Sequence, residues 1–243
     1  MSDNEHAEAT QARFSASAEL MAEHEGSRRE ELRAQIKQFL EPTGEERVLD
    51  AGAGTGGFAF AAAPLVREVV AADVVPEVLD TGREIAAKGF PNVTFVEADV
   101  AHLPFEDGSF DLAACVRTLH HVPRPELVVA ELSRVVGIRG QVLVVDQIAP
   151  IDPLAGFELD RFERARDPSH TRLLPDVDIR SLLDANGLVL RRSEQRQEAR
   201  DVDGYLDLAG CAGVARERAL SVAPESYTAT IGWYLAARQP LSA

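Results

Sequence analysis

Cysteine and lysine are nearly absent from these 243 residues: Cys115 and Cys211 are the two cysteines, and Lys37 and Lys88 the two lysines. Two cysteines cannot build a disulfide framework, which points to a reducing compartment. Basic residues are scarce as a class, 25 against 40 acidic ones, for a formal net charge of −15. No basic run offsets that balance, so phosphate backbones would be repelled and nucleic acid is not an expected partner. Long apolar runs are missing as well, and without a stretch of about 18 uncharged apolar residues no membrane span is expected. The first ten residues are polar and acidic, unlike a secretory leader, so the expected location is the cytoplasm. Repeats and low-complexity linkers are also lacking. What is present, 45% hydrophobic residues over this length, can bury one large α/β core.

The apolar pattern predicts a flexible tail over 1–13 and a single domain over 14–243. Phe14, Ala18 and Met21, and then Leu32, Ile36, Phe39 and Leu40, recur at helical spacing and predict an N-terminal helical cap over 14–41, stopped by Pro42 and Gly44. Beyond it, strands over 47–50, 69–73, 93–96, 110–116 and 141–146 alternate with helices over 58–66, 76–88 and the stretch carrying Val128, Leu132, Val135 and Val136. A further helix around Ile179, Leu182 and Leu183 ends at Asn186-Gly187, and 188–190 and 231–236 are the last strand candidates. Such alternation means βαβ units, hence a Rossmann-like, doubly wound, mostly parallel sheet. The segment 151–175, with prolines and many charges, reads as irregular and suited to the acceptor side of a site. Leu206 and Leu208 suggest a helix on the sheet or at a homodimer contact.

The chemistry concentrates at 50–57, Asp-Ala-Gly-Ala-Gly-Thr-Gly-Gly, between a strand and a helix. Glycines there let the backbone turn tightly and approach a ligand beneath a positive helix N-terminus. Gly52, Gly54 and Gly57 fit the dinucleotide fingerprint, with Asp73 about 20 residues on for ribose hydroxyls. Asp50, two residues before the first glycine, weighs the other way. A pyrophosphate over this turn would meet like charge, whereas S-adenosylmethionine would bring an ammonium and a sulfonium. Asp50 could instead only cap the turn that follows it.

Val-Leu-Asp-Ala-Gly-Ala-Gly-Thr-Gly over 48–56 resembles the first motif of class I S-adenosylmethionine-dependent methyltransferases. The likeness continues in order through Ala71-Ala72-Asp73, Glu97-Ala98-Asp99-Val100, the segment 110–123 and Gly140 to Asp146, spanning roughly residues 14–190. Its particular look is of the small-molecule branch, near the quinone-biosynthesis C-methyltransferases, which the Arg-Asp-Pro-Ser-His run at 166–170 also resembles. The resemblance implies a seven-stranded sheet and S-adenosylmethionine as cofactor. It implies that Asp50, Gly52, Gly54 and Gly56 face the methionine part, that Asp73 accepts from the ribose hydroxyls, and that Asp99 and the Val100 N–H meet adenine. Arg117 would present its backbone carbonyl to the ammonium. The amine-gripping Asn-Pro-Pro-Tyr tetrapeptide is replaced by Arg117-Thr118-Leu119-His120, which weighs against DNA-adenine and several protein substrates.

Methyl transfer is an in-line displacement, so positioning dominates, while a phenol or activated carbon must also lose a proton. His120, His121 and His170 are candidates for that base, though a His-His pair opening a loop can serve a purely local role. No carboxylate or thiol stands beside the pair at ligand spacing, so no metal is expected. Arg166 and Arg172 are candidates for holding a polar or anionic acceptor, or else lie on a solvated surface. Cys115 reads as a buried small apolar residue, and Trp233 as core or pocket wall. The expected function is methylation of a small organic acceptor. The alternatives are an NAD(P)-dependent oxidoreductase using the same turn, and an S-adenosylmethionine-binding module without transfer.

Overall fold

Short aliphatic runs covered on both faces fold as parallel strands, and the computed structural model, which describes residues 3–239, places seven strands in one sheet. β1 (Arg47–Ala51), β2 (Glu68–Asp73), β3 (Val93–Glu97), β4 (Phe110–Val116) and β5 (Val136–Gln147) are parallel. β7 (Tyr227–Arg238) pairs antiparallel with β5, and β6 (Leu188–Arg200) pairs antiparallel with β7 at the edge. The order is β3-β2-β1-β4-β5-β7-β6. It reverses between β1 and β4, the place where an open α/β sheet leaves a crevice at the carboxyl ends of its strands.

Helices cover both faces. α1 (Asp3–Leu40) and α2 (Gly57–Ala62) build one layer, where Phe39, Phe58, Phe60 and Trp233 pack on Val48 and Val145. α4 (Pro125–Val135) and α6 (Asp176–Ala185) build the other, where Val128, Leu132, Ile179 and Leu183 pack on Leu49 and Val144. Val48 and Leu49 serve opposite layers because successive strand residues point to opposite faces. α3 (Pro76–Gly89) links β2 to β3 and carries its proline in the first turn, where the missing N–H costs nothing.

Four sequence expectations change. Residues 3–13 are not a flexible tail; they begin α1, which runs unbroken through the expected cap. Ala, Glu and Gln favour helix there, and tertiary contacts fix it: the His6 ring lies 2.7 Å from the His121 carbonyl, and the Arg13 Nε donates to Asp167 at 2.8 Å. Residues 151–175 are not irregular throughout, because α5 (Pro153–Arg166) occupies most of the segment. Asp152 caps it by accepting from the Leu154 N–H, and Pro153 stands at the first helical position, so the prolines punctuate the helix and do not break it. β6 continues to Arg200 through a polar run that an edge strand tolerates. α7 (Val202–Leu208) answers to the expected helix near Leu206, and α8 (Gly213–Leu220) has no counterpart in the expectations. Residues 1–2 and 240–243, inside the tail and domain expectations, lie outside the described residues.

Candidate active site

The crevice at the strand ends is a cavity of about 1100 Å³, roofed by α1 and walled by the ends of β1, β4, β5 and β6 and by α7. That exceeds what one drug-sized ligand fills and leaves room for two partners. Asp50, Gly52, Gly54, Asp73, Asp99, Val100 and Arg117 all line it, as do Arg166, His120, His121 and Trp233.

The turn after β1 needs its glycines for two different reasons. Gly52, Gly54 and Gly56 have φ of 76°, 55° and 99°, the left-handed region where a side chain is strained. At Gly52 a Cβ would also stand 2.3 Å from the Thr118 methyl, whose hydroxyl lies 3.1 Å from the Gly52 carbonyl. Gly56 is the exception among the expected cofactor contacts. It does not line the cavity, and a Cβ there would strike Phe60 and Phe95, so it serves the turn and its packing.

Three carboxylates converge on this turn. Asp50, 1% exposed, accepts from the Ala59 N–H at 3.0 Å, so the capping role and the cavity-facing position coexist. Asp73 accepts from the Gly54 N–H at 2.8 Å and the Val75 N–H at 3.0 Å. Glu25, on α1, accepts from the Thr55 hydroxyl at 2.6 Å. Burial pushes Asp50 up to about 8, with Glu25 and Asp73 adding like-charge repulsion. Burial also raises Glu25 to about 7, and raises Asp73 despite the amides it accepts from. Among the described residues none of the three makes an ion pair with a basic side chain. Asp99, by contrast, is exposed and accepts from the Ala101 N–H at 2.9 Å.

Arg117 ends β4 with φ of 56°, an uncommon value for a side chain of its size. Its N–H donates to the Val145 carbonyl at 2.7 Å and its guanidinium donates to Glu198 at 2.6 Å. The next turn presents the histidines. His120 Nδ1 lies 2.5 Å from the Asp146 carboxylate, and the His120 N–H donates to the same group at 3.2 Å. A carboxylate only accepts, so Nδ1 carries a proton, and Nε2 is the nitrogen that accepts when the ring holds only that one. His121 bonds the Ser169 hydroxyl at 2.9 Å, and that hydroxyl donates to Asp167 at 2.5 Å. Burial, and then neighbouring His120, hold His121 well below the ordinary histidine range, so its ring stays neutral.

Besides Gly56, two expected site residues fall outside the cavity lining. The His170 side chain is fully buried with Nε2 2.9 Å from Asp160 of α5, and Arg172 is exposed elsewhere. Both follow α5, whose end turns them away while Arg166 in its last turn points inward. Glu25, Arg13, Asp146, Asp167 and Arg200 were not among the expected site residues. Asp146 alone had a local signal, a carboxylate ending an aliphatic strand. Cys115 is buried as expected, and Trp233 is pocket wall as well as core.

Residues 49–144 match the family described as a methyltransferase domain. An uncharacterized methyltransferase of Bacillus subtilis, YcgJ, is 37% identical over 145 residues, covering 59% of this chain and 57% of the relative. A demethylmenaquinone methyltransferase of Clavibacter sepedonicus is 35% identical over 142 residues, 58% of each. The chain thus matches somewhat over half the length of these curated relatives. The crystal structure of Bacillus subtilis YcgJ superposes with a TM-score of 0.81 at 26% identity, covering 86% of this chain and 99% of that one. The class I methyltransferase fold and the resemblance to quinone-type relatives read from the motifs are borne out. The matched domain and these relatives are all described as methyltransferases.

Proposed function

We propose that this chain, built on a methyltransferase domain, transfers the methyl group of S-adenosylmethionine to a small organic acceptor. The observation that carries the reading is a set of carboxylates, buried Asp50 with half-buried Asp73 and Glu25, meeting at the glycine turn without a basic side chain in ion-pair contact. Carboxyls whose ionisation the surroundings oppose gain most from a ligand that brings positive charge to them, which favours a cationic partner. A diphosphate would face these three groups instead, which disfavours the NAD(P) reading.

Asp73 has acceptor capacity for ribose hydroxyls beyond its two amides, Asp99 and Val100 flank the adenine end, and Asp50 with Glu25 serves the cationic end. The cofactor supplies a methyl group already activated by its sulfonium. The chain orients the acceptor against that group and keeps water out beneath α1. His120, lining the cavity with Nε2 free to accept and Nδ1 locked by Asp146, takes the proton from an acceptor hydroxyl or activated carbon. That dyad favours catalysis over a binding module. His121 and Ser169 brace Asp167, which holds Arg13 of the roof.

Calorimetry with S-adenosylmethionine and S-adenosylhomocysteine tests the cofactor, and labelled methyl incorporation into a panel of phenols, quinols and keto acids tests the transfer. Micromolar binding with transfer to at least one panel member is expected. Absence of binding at about 1 mM cofactor removes the reading.

A further inference from the structure

A second part of the cavity lining has the opposite electrostatic character. Arg166, Arg200 and Arg13 place three guanidinium groups there, with side chains 4%, 9% and 7% exposed. They face two buried carboxylates, Glu163 and Asp167, 2% and 0% exposed. Arg166 donates to Glu163 at 3.0 Å and Arg13 to Asp167 at 2.8 Å. Arg200 is left with neutral partners at close range: it donates to the Gln147 carbonyl at 2.8 Å and reaches the Tyr227 hydroxyl at 3.3 Å. Glu163 and Glu198 both lie 3.9 Å from it. Glu163, however, is already taken by Arg166 and the hydroxyls of Tyr205 and Tyr227. Glu198 is taken by Arg117 at 2.6 Å, with Arg28 at 3.7 Å, so counting that group adds more positive charge than negative. Asp201, next in the chain, is exposed and caps α7 through the Gly204 N–H.

One buried positive charge is therefore in excess, and its site is shaped. Tyr205 of α7 lies between two guanidinium groups, with the Arg166 and Arg200 carbons 3.9 and 4.3 Å from its ring centre. Cation–π contact with one ring restrains both guanidinium groups, whose planar forks suit carboxylate and phosphate. Trp233 lines the same cavity. Burial, more than any neighbour, holds the Arg13 guanidinium below its ordinary range, with Arg166 adding repulsion and Asp167 opposing it.

We infer that Arg200 and Arg166, braced by Tyr205 and Gln147, form an acceptor subsite for an anionic oxygen group, so that the methyl acceptor is a carboxylate- or phosphate-bearing molecule with an aromatic or similarly flat body. This rests on the methyl-transfer reading and goes beyond it by giving the acceptor a charge. A neutral quinol would leave the guanidinium excess buried and unpaired. The methionine carboxylate of the cofactor is the rival occupant. Arg117, close enough to Glu25 to help lower its titration against the effect of burial, is better placed for that group than Arg200, whose hydrogen bonds go to Gln147 and Tyr227.

Trp233 is the single tryptophan of the chain and lines the cavity, so its fluorescence reports occupancy. The protein saturated with S-adenosylhomocysteine is titrated with two isosteric pairs, benzoate with benzamide and phenylphosphonate with benzenesulfonamide. At least one anion should bind about ten-fold or more tightly than its neutral partner, as expected for charge-assisted hydrogen bonds. The better pair distinguishes carboxylate from phosphate. Arg200→Gln should abolish the preference and Arg200→Lys should keep part of it, both binding S-adenosylhomocysteine like the parent chain. Equal binding of charged and neutral partners, or no anion binding at about 10 mM, overturns the proposal. So does weakened S-adenosylhomocysteine binding in a folded Arg200→Gln, because the arginine would then serve the cofactor. Failure of the parent chain to bind S-adenosylhomocysteine at all would remove the methyl-transfer reading first.

Discussion

Replacing Asp50 by asparagine separates what this carboxyl does for the ligand from what it costs the fold. In the ligand-free chain the group sits at about 8 and its neighbour Glu25 at about 7. At pH 7 they therefore hold roughly 0.9 and 0.5 of a proton, and a cation that ionises both should release about 1 to 1.5 protons on binding. Attraction between unit charges about 4 Å apart in a protein-like medium is worth ~4 kcal/mol, less the ~1.4 kcal/mol needed to ionise a carboxyl one unit above the working pH. Asp50→Asn should thus weaken S-adenosylmethionine binding by about 30- to 100-fold. The measurement is calorimetry at pH 7 in two buffers of different ionisation enthalpy, with S-adenosylmethionine as ligand. The parent should show proton release, and the variant roughly one proton less. Stability should move the other way. The folded-state value lies above the ordinary 3.8, so the folded chain binds more protons than the unfolded one between about pH 4 and 8, and stability falls as pH rises through that window. Asparagine keeps an acceptor for the Ala59 N–H without the charge, so the ligand-free variant should melt several degrees above the parent at pH 8 and together with it near pH 4. Proton release of zero in the parent, or variant affinity within about three-fold of it, would refute the electrostatic reasoning.

Four further outcomes follow from the same geometry. Asp146→Asn turns one of the two acceptor oxygens facing His120 into a donating amide, so the ring is no longer fixed in one tautomer, and kcat for a proton-losing acceptor should fall by about 10²-fold or more while S-adenosylhomocysteine affinity stays put. His120→Gly should lose a similar factor and recover part of it with added imidazole. Asp167→Asn strands Arg13 in a buried site and should cost roughly 3–5 kcal/mol in denaturant unfolding, with protease cleavage in the first half of α1 appearing early. An unchanged midpoint would mean the pair is not what holds the roof. Gly52→Ala forces a Cβ into the left-handed region and against Thr118, so stability should drop by roughly 2 kcal/mol or more and S-adenosylmethionine binding should be lost in the folded fraction.

Much of the scaffold and of the cofactor end was legible in the residues alone. Aliphatic runs, prolines in first turns and the glycines after β1 are local signals, and they delivered the parallel strands, α2, α3 and the positions of Asp50, Asp73 and Asp99. The misses share a cause. The start of α1 and the polar length of β6 lack an apolar stripe because their partners are charged, and α5 was hidden by prolines that mark its ends. Gly56 was read as a ligand contact because sequence reports a need for φ above zero and not what lies beyond the turn.

Sequence by itself determined the alternation of elements, the topology class and a cofactor turn flanked by carboxylates, all set by interactions within a few residues of one another. Tertiary structure decided which remote groups complete the site. Glu25 reaches Thr55 across 30 positions, Asp146 reaches His120 across 26, Arg200 meets Gln147 across 53 and Arg13 meets Asp167 across 154. Periodicity records which face of an element is buried. The identity of the charge waiting on the other side comes only from the fold that brings the two together.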